Sequence, residues 1–294
     1  MSIIKSIRDY RKVFKNWIYV IYFIKMNRKI INVILRDGKS LSLPKEMVYL
    51  LKELSIRNLG TDFFYDKESE IFQFLYNGKR VKLRFYKNGI MNGDPGVFSG
   101  EYDCLEPING HTVIDIGANI GDSTVYFVIK GARIVLALEP YKYSYNMLVE
   151  NIRINDLKNV ITINAGYGKD GIIELEDTVT YGGTALKEYK GGVKTPLLSL
   201  KTILEQYSNV LNGDLLLKMD CKGCEYNLLE ESKEIIRQFN RIVIEYHNGY
   251  KNLKIKLDEF GFNVSFTEPY IGYDETKIKN FVQGIHLCQK NLNL

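Results

Sequence analysis

The chain has 294 residues, 45% of them hydrophobic and 26% charged, with a formal net charge of +5. That balance excludes a disordered or collagen-like chain and allows one large or two modest domains with a buried core. Four cysteines, Cys104, Cys221, Cys224 and Cys288, are too few for a disulfide scaffold.

The charge is unevenly spread. Residues 1–40 carry a net +8 and the remainder a net −3. That argues against an extended nucleic-acid surface on the body, though not against a basic arm. Within the basic segment, Ile3, Ile7, Tyr10, Phe14, Trp17, Ile21 and Ile24 recur at alternating spacings of four and three. This predicts one amphipathic helix over 3–24 with a single apolar stripe. Two readings follow. The stripe docks on its own protein or a sister subunit, giving a homodimer. Otherwise the helix lies on a membrane, where Lys5, Arg8, Arg11, Lys12, Lys15 and Lys25 meet anionic lipid. The longest apolar run, Trp17 to Ile24, is eight residues, short of the roughly 17–25 that span a bilayer. No small-residue cleavage site follows it, so a cytoplasmic protein is expected.

Two hairpins come next. Residues 31–36 and 39–43 flank Asp37-Gly38, and residues 71–76 and 79–85 flank Asn77-Gly78. Both dipeptides suit two-residue turns. Between the hairpins, Pro44 opens a helix that ends near residues 58–60. A loop rich in glycine runs from Asn88 to Gly100. Residues 1–96 thus form an α+β accessory region without a catalytic constellation.

From Thr112 the pattern alternates. Strands are predicted at 112–116, 133–139, 159–164, 214–220 and 241–246, with helices near 122–130, 141–155, 198–208, 225–238 and 250–260. Such alternation builds a parallel sheet with right-handed crossovers. The stretch 166–196 reads as a loop that covers the cleft with a hairpin starting at residues 172–176. Residues 262–266 and 281–289 are two strands with no helix between them. They pair antiparallel at one sheet edge, a feature of Rossmann-like methyltransferase domains.

The chemistry gathers at the strand ends. The first strand runs into Asp115-Ile116-Gly117-Ala118-Asn119-Ile120-Gly121-Asp122, whose glycines permit a tight turn and close approach of a ligand. A dinucleotide loop has the spacing G-x-G-x-x-G. Here a carboxylate precedes the first glycine, which suits a cofactor end bearing an ammonium group, as S-adenosylmethionine does. The second strand ends in Glu139-Pro140, an acid placed to accept both ribose hydroxyls of an adenosine. The third ends in Asn164-Ala165, suited to the adenine edge. The fourth ends in Asp220-Cys-Lys-Gly-Cys-Glu225 and enters a helix. Asp220 would lie beside the sulfonium. Glu225 would sit in the first helical turn, where its charge is also favourable on dipole grounds alone.

The fifth strand ends in Glu245-Tyr246-His247. His247 is the one histidine at the carboxyl end of a predicted strand, whereas His111 and His286 read as structural. With an ordinary pKa near 6.5 it suits a general base for a hydroxyl acceptor, with Asp220 or Glu225 orienting it or acting instead. Cys221-x-x-Cys224 lacks a second pair, so no metal is expected. Two unbonded thiols are the favoured reading, and a reversible disulfide is the alternative.

Taken in order, Asp115 to Gly121, Glu139-Pro140, Asn151, Lys218 to Glu225 and Ile244 to His247 resemble the FkbM-type S-adenosylmethionine-dependent methyltransferases. Glu101-Tyr102, Gly121-Asp122-Ser123 and Tyr126-Phe127 are similar to archaeal members. The resemblance covers roughly residues 97–290. It implies a class I methyltransferase domain over 97–294, with a seven-stranded mixed sheet whose last strand is antiparallel. It also implies O-methylation of a hydroxyl on a sugar, glycan, lipid-linked or secondary-metabolite acceptor. By that similarity Glu101, Tyr102, Asp115, Gly117, Ala118, Asn119, Gly121, Asp122, Glu139, Pro140, Asn164, Ala165 and Asp220 bind the cofactor, and Asp220, Glu225 and His247 face the acceptor. One departure stands out: Lys222 replaces a family Glu. It motivates a rival reading as a non-catalytic binding or scaffold protein. A second rival, a nicotinamide-dependent oxidoreductase, rests on Glu139 following Asp115 at dinucleotide-like distance.

Overall fold

The computed structural model describes residues 3–57, 60–87, 90–176, 186–247, 249–266, 270–274 and 279–290. The chain divides into two compact units, Met1–Glu101 and Tyr102–Leu294.

In the first unit the amphipathic segment is two helices, α1 (Ile3–Val13) and α2 (Trp17–Lys25), where one was expected. The break has a local cause. The next strand, β1 (Ile30–Ile34), captures the connection: Lys15 N–H donates to Ile34 O at 2.7 Å, and Asn16 Oδ1 accepts from Ile34 N–H at 2.8 Å. These strand-type bonds replace the helical ones, while Tyr10, Val13, Phe14 and Val20 stay buried. Of the predicted stripe, Tyr10 and Phe14 are buried, whereas Ile7 is exposed.

β1 pairs antiparallel with β2 (Ser40–Pro44). Their loop is a residue longer than expected, because Leu35 N–H bonds Lys39 O and Gly38 takes φ 98°. Helix α3 (Lys45–Ile56) follows. A three-stranded sheet contains β3 (Gly60–Asp66), β4 (Ile71–Tyr76) and β5 (Lys79–Arg84), of which β3 was not anticipated. The Asn77-Gly78 turn is a two-residue one, with both residues at positive φ and Tyr76 facing Lys79. Within the expected loop at 88–100, β7 (Ile90–Met91) pairs with β6 (Tyr86–Lys87) just before it, and a 3₁₀ turn follows at Pro95–Ser99.

The second unit is a parallel five-stranded central sheet flanked by helices. Its strands are β8 (Thr112–Ile116), β9 (Ile134–Leu138), β10 (Val160–Ile163), β14 (Leu215–Met219) and β15 (Phe239–Tyr246). The order is β10-β9-β8-β14-β15, all pairs parallel. Between β10 and β14 lies a small sheet of β11 (Gly166–Tyr167), β12 (Gly171–Leu175) and β13 (Val193–Leu198). The expected hairpin is β12 with β13; Tyr181 lies outside the described residues.

The connecting helices are α4 (Asp122–Ile129), α5 (Lys142–Ile154), α6 (Leu200–Gln206), α7 (Lys233–Ile236) and α8 (Lys251–Glu259). The helix expected at 225–238 is instead a 3₁₀ helix, Cys224–Glu230, and the separate short α7 capped by Ser232. Beyond β15, β18 (Lys279–Lys290) runs antiparallel to it and to β16 (Phe262–Phe266), while β17 (Tyr270–Asp274) pairs with the first half of β18. Among the described residues, the connected sheet continues past the parallel five through β18 and β16, with β17 paired to β18 off that path.

β8 and β14 are buried at every position. Central parallel strands covered on both faces require such apolar runs. The chain leaves β8 toward β9 on one side and returns to β14 on the other. That reversal opens a crevice at the carboxyl ends of β8 and β14, where open α/β sheets hold ligands. Among the described residues, no helix is long and apolar enough to cross a membrane.

Candidate functional site

The loop after β8 is pinned from several directions. Gly117 and Ala118 N–H both donate to Leu138 O, and Asn119 N–H donates to Glu139 Oε2 at 2.9 Å. The buried amide of Asn151 on α5 donates to Ile120 O at 2.8 Å. Gly117, Asn119 and Gly121 all take positive φ. The glycines make room for the chain itself. A Cβ on Gly117 would lie 1.9 Å from the Asp220 carbonyl oxygen, and one on Gly121 would lie 2.6 Å from Leu148. On the side where a Cβ would stand, Gly117 is approached by the backbone after β14.

Asp115 has partners within the chain that the sequence did not show. It is fully buried and its charge is already met: Oδ1 lies 2.8 Å from Lys218 Nζ, and Oδ2 accepts from Ser123 and Thr124 hydroxyls at 2.7 Å each. These contacts tie β8 to β14 and to the first turn of α4. Lys218, absent from the sequence-derived site, also donates to Gly117 O at 2.9 Å and lies 5.8 Å from the centre of the buried Tyr102 ring. Burial alone would lower its pKa, but Asp115, with Asp220 and Asp122, holds it above the ordinary lysine value. Its signal was a lysine inside an apolar strand, which demands a buried partner.

Glu139 fits its expected place. Its buried carboxylate accepts from Asn119 N–H and, at 3.0 Å, from Tyr141 N–H. A carboxylate has about four acceptor sites, of which these bonds take two. Burial pushes its pKa up to about 7 against the opposing effect of those two bonds. Asn164 does something unanticipated: its amide donates to Glu139 O at 2.8 Å and Pro140 O at 3.0 Å, fixing the turn after β9. Ala165 joins the apolar core beneath it. Asp122 is buried at the start of α4, and Glu101 is half-buried at the end of the first unit.

The second cluster joins the ends of β14 and β15. Glu225 is fully buried, and its position in the first 3₁₀ turn matters less than where its carboxylate reaches. Oε2 accepts from Gly223 N–H at 2.6 Å, while Oε1 accepts from His247 N–H at 3.1 Å and lies 3.1 Å from His247 Nδ1. A proton on Nδ1 satisfies Glu225 and leaves Nε2 as the basic nitrogen. Nε2 lies 3.8 Å from Asp220 Oδ1 and 3.7 Å from Glu245 Oε1. Burial works against the His247 cation, but Glu225, Asp220 and Glu245 together raise its pKa.

Glu245 was missed as a site residue because it reads as one more alternating strand position. Burial and the neighbouring Asp220 push its pKa up to about 7. Lys222, at φ 50° in the preceding loop, counteracts that rise. Asp220, Glu245 and His247 each offer one ligand atom within 4.8 Å of the others, a geometry that could accept a cation although none was expected. Cys221 and Cys224 are joined in a disulfide, correcting the favoured reading of free thiols. His111, as expected, is structural: Nδ1 lies 3.0 Å from Asn109 O and Nε2 lies 3.4 Å from Asp214.

The methyltransferase FkbM domain matches this chain over residues 115–264, just over half its length. No curated protein matches it. Among solved structures, the chain is similar to M. jannaschii TYW2 in complex with AdoMet, at 19% identity over 78% of this chain and 90% of that one, with a TM-score of 0.38. It is similar to precorrin-6y C5,15-methyltransferase from Geobacter metallireducens, at 14% identity over 64% and 85%, TM-score 0.38. It is also similar to M. capricolum TrmK in complex with S-adenosyl-homocysteine, at 13% identity over 64% and 66%, TM-score 0.40.

Proposed function

The chain belongs to the FkbM methyltransferase family, and from that premise we propose that it is an O-methyltransferase acting on a hydroxyl of a glycan, lipid-linked or other small-molecule acceptor. S-adenosylmethionine is the cofactor, and it supplies an electrophilic sulfonium methyl. The residues present fit it: Glu139 keeps two acceptor sites beside the loop at the sheet's switch point. The seven-stranded class I plan with an antiparallel last strand belongs to this reading too.

The observation that carries the proposal is the line Glu225–His247–Asp220. A hydroxyl is a poor nucleophile until its proton is withdrawn, and a positioned imidazole does this at neutral pH. Glu225 orients the ring through Nδ1, and Nε2 is directed toward Asp220, whose backbone touches Gly117 of the cofactor loop. A hydroxyl hydrogen-bonded to Nε2 and steered by Asp220 would thus lie next to the cofactor. Asp220 stays half-buried, open enough to meet an acceptor.

The test is transfer of labelled methyl from S-adenosylmethionine to a panel of glycan and lipid-linked alcohols. His247→Gln should lower kcat by roughly 10²–10⁴ while leaving S-adenosylhomocysteine affinity unchanged. The rising limb of the pH profile should lie above 6.5, because the raised pKa keeps His247 protonated to higher pH. Undiminished transfer by the variant would overturn the assignment of the base. Tight cofactor binding with no transfer to any acceptor would favour the scaffold reading that Lys222 motivates. Thermal stabilisation by NAD alone would favour the oxidoreductase.

A further inference from the structure

In the first unit, α2 is apolar around its whole circumference: eight consecutive apolar residues precede Lys25. A helix of that kind is normally buried on all sides. Here only one side is. Val20 is fully buried, whereas Ile18 is 67% and Tyr22 56% exposed. The exposed surface continues past the helix through Met26 at 60% to Ile30 at 50%, because β1 alternates and turns its even-numbered residues outward. Shallow grooves that share Asn16 and Tyr19 connect the helix with the strand. Contiguous apolar surface of this kind marks a place where something docks.

Charge identifies the partner. Residues 10–36 contain seven Lys and Arg and no Asp or Glu. Lys15, Lys25, Arg28 and Lys29 are exposed at the rim of the patch. A second copy of this chain docking face to face would set these cations against their own counterparts, since a twofold interface repeats the same residues on both sides. An anionic lipid surface satisfies both features, taking the apolar side chains at the acyl boundary and pairing its phosphates with the cations. Tyrosines suit that boundary, with an apolar ring and a polar tip. α2 is only about 13 Å long, so it lies in the interface and does not cross it.

We propose that the exposed face of α2 and the start of β1 form a docking surface for anionic membranes. This inference does not depend on the methyl-transfer reading. The test is flotation of the full chain with phosphatidylcholine vesicles, with and without phosphatidylglycerol. Binding is expected only with the anionic lipid and should weaken as salt rises. Ile18→Asp with Tyr22→Asp, both at exposed positions, should weaken binding at least about tenfold with the melting temperature unchanged, and Lys25→Glu with Lys29→Glu should do the same. Failure to float with anionic vesicles overturns the proposal, as does equal binding to neutral ones or full binding by both variants. A wild-type dimer that the aspartates dissociate, without lipid binding, would assign the face to a second copy.

Discussion

Replacing Lys218 by Met tests the contact on which the cofactor loop rests. The ammonium lies 2.8 Å from Asp115 Oδ1 and 2.9 Å from Gly117 O, with lysine and aspartate almost completely buried. Methionine fills a similar volume but leaves the Asp115 carboxylate with only the Ser123 and Thr124 hydroxyls, both on Oδ2. Removing one partner of a buried ion pair typically costs about 3–5 kcal/mol, most of it from the uncompensated charge that remains. For a unit of about 200 residues this lowers Tm by roughly 6–20 °C. The assay is urea and thermal unfolding of Lys218→Met, Asp115→Asn and the double variant. The double variant removes both charges and should recover much of the loss, giving a coupling energy of about 2–3 kcal/mol. S-adenosylhomocysteine affinity should fall in the single Lys218 variant, because Gly117 loses its tether. A loss below about 1 kcal/mol, or a coupling energy near zero, would refute the view that this pair holds the loop.

Further outcomes follow from the same geometry. Glu139 titrates near 7 and ribose hydroxyls favour its ionised form, so cofactor affinity should rise with pH up to about 7 and then level off. Calorimetry at several pH values checks this, and Glu139→Gln should bind more weakly with no such pH dependence. Gly117→Ala would push a methyl into the Asp220 carbonyl at a positive φ, so loss of soluble protein or destabilisation beyond about 3 kcal/mol is expected from thermal melts. The Cys221–Cys224 disulfide closes a loop of very few residues, so its reduction should cost only about 2 kcal/mol. Alkylating the denatured chain with and without reductant should show two additional thiols after reduction.

Much of this protein is written in local patterns. The alternation after Thr112, the glycine-bearing turn after β8 and the acids at the strand ends each depend on residues close in sequence, and the five parallel strands appear where expected. Glu139 and His247 stood out because a polar residue just after the carboxyl end of an apolar strand has few structural reasons to be there. The helix break at Asn16 was not legible, because its cause is a hydrogen-bonding edge of β1 that periodicity does not register. Asn164 was assigned to adenine for the same reason: its actual partners, the carbonyls of Glu139 and Pro140, become neighbours only when β9 and β10 pair.

The sequence by itself determined which residues stand at the strand ends and hence which cofactor class they suit. Tertiary structure decided which of them are already engaged. Asp115 and Lys218 are register partners across β8 and β14, strands that are remote in sequence and adjacent in the sheet. Only that pairing reveals that the aspartate is neutralised by the chain. A charge seeks the nearest partner in space, and nearness in space is a property of the fold.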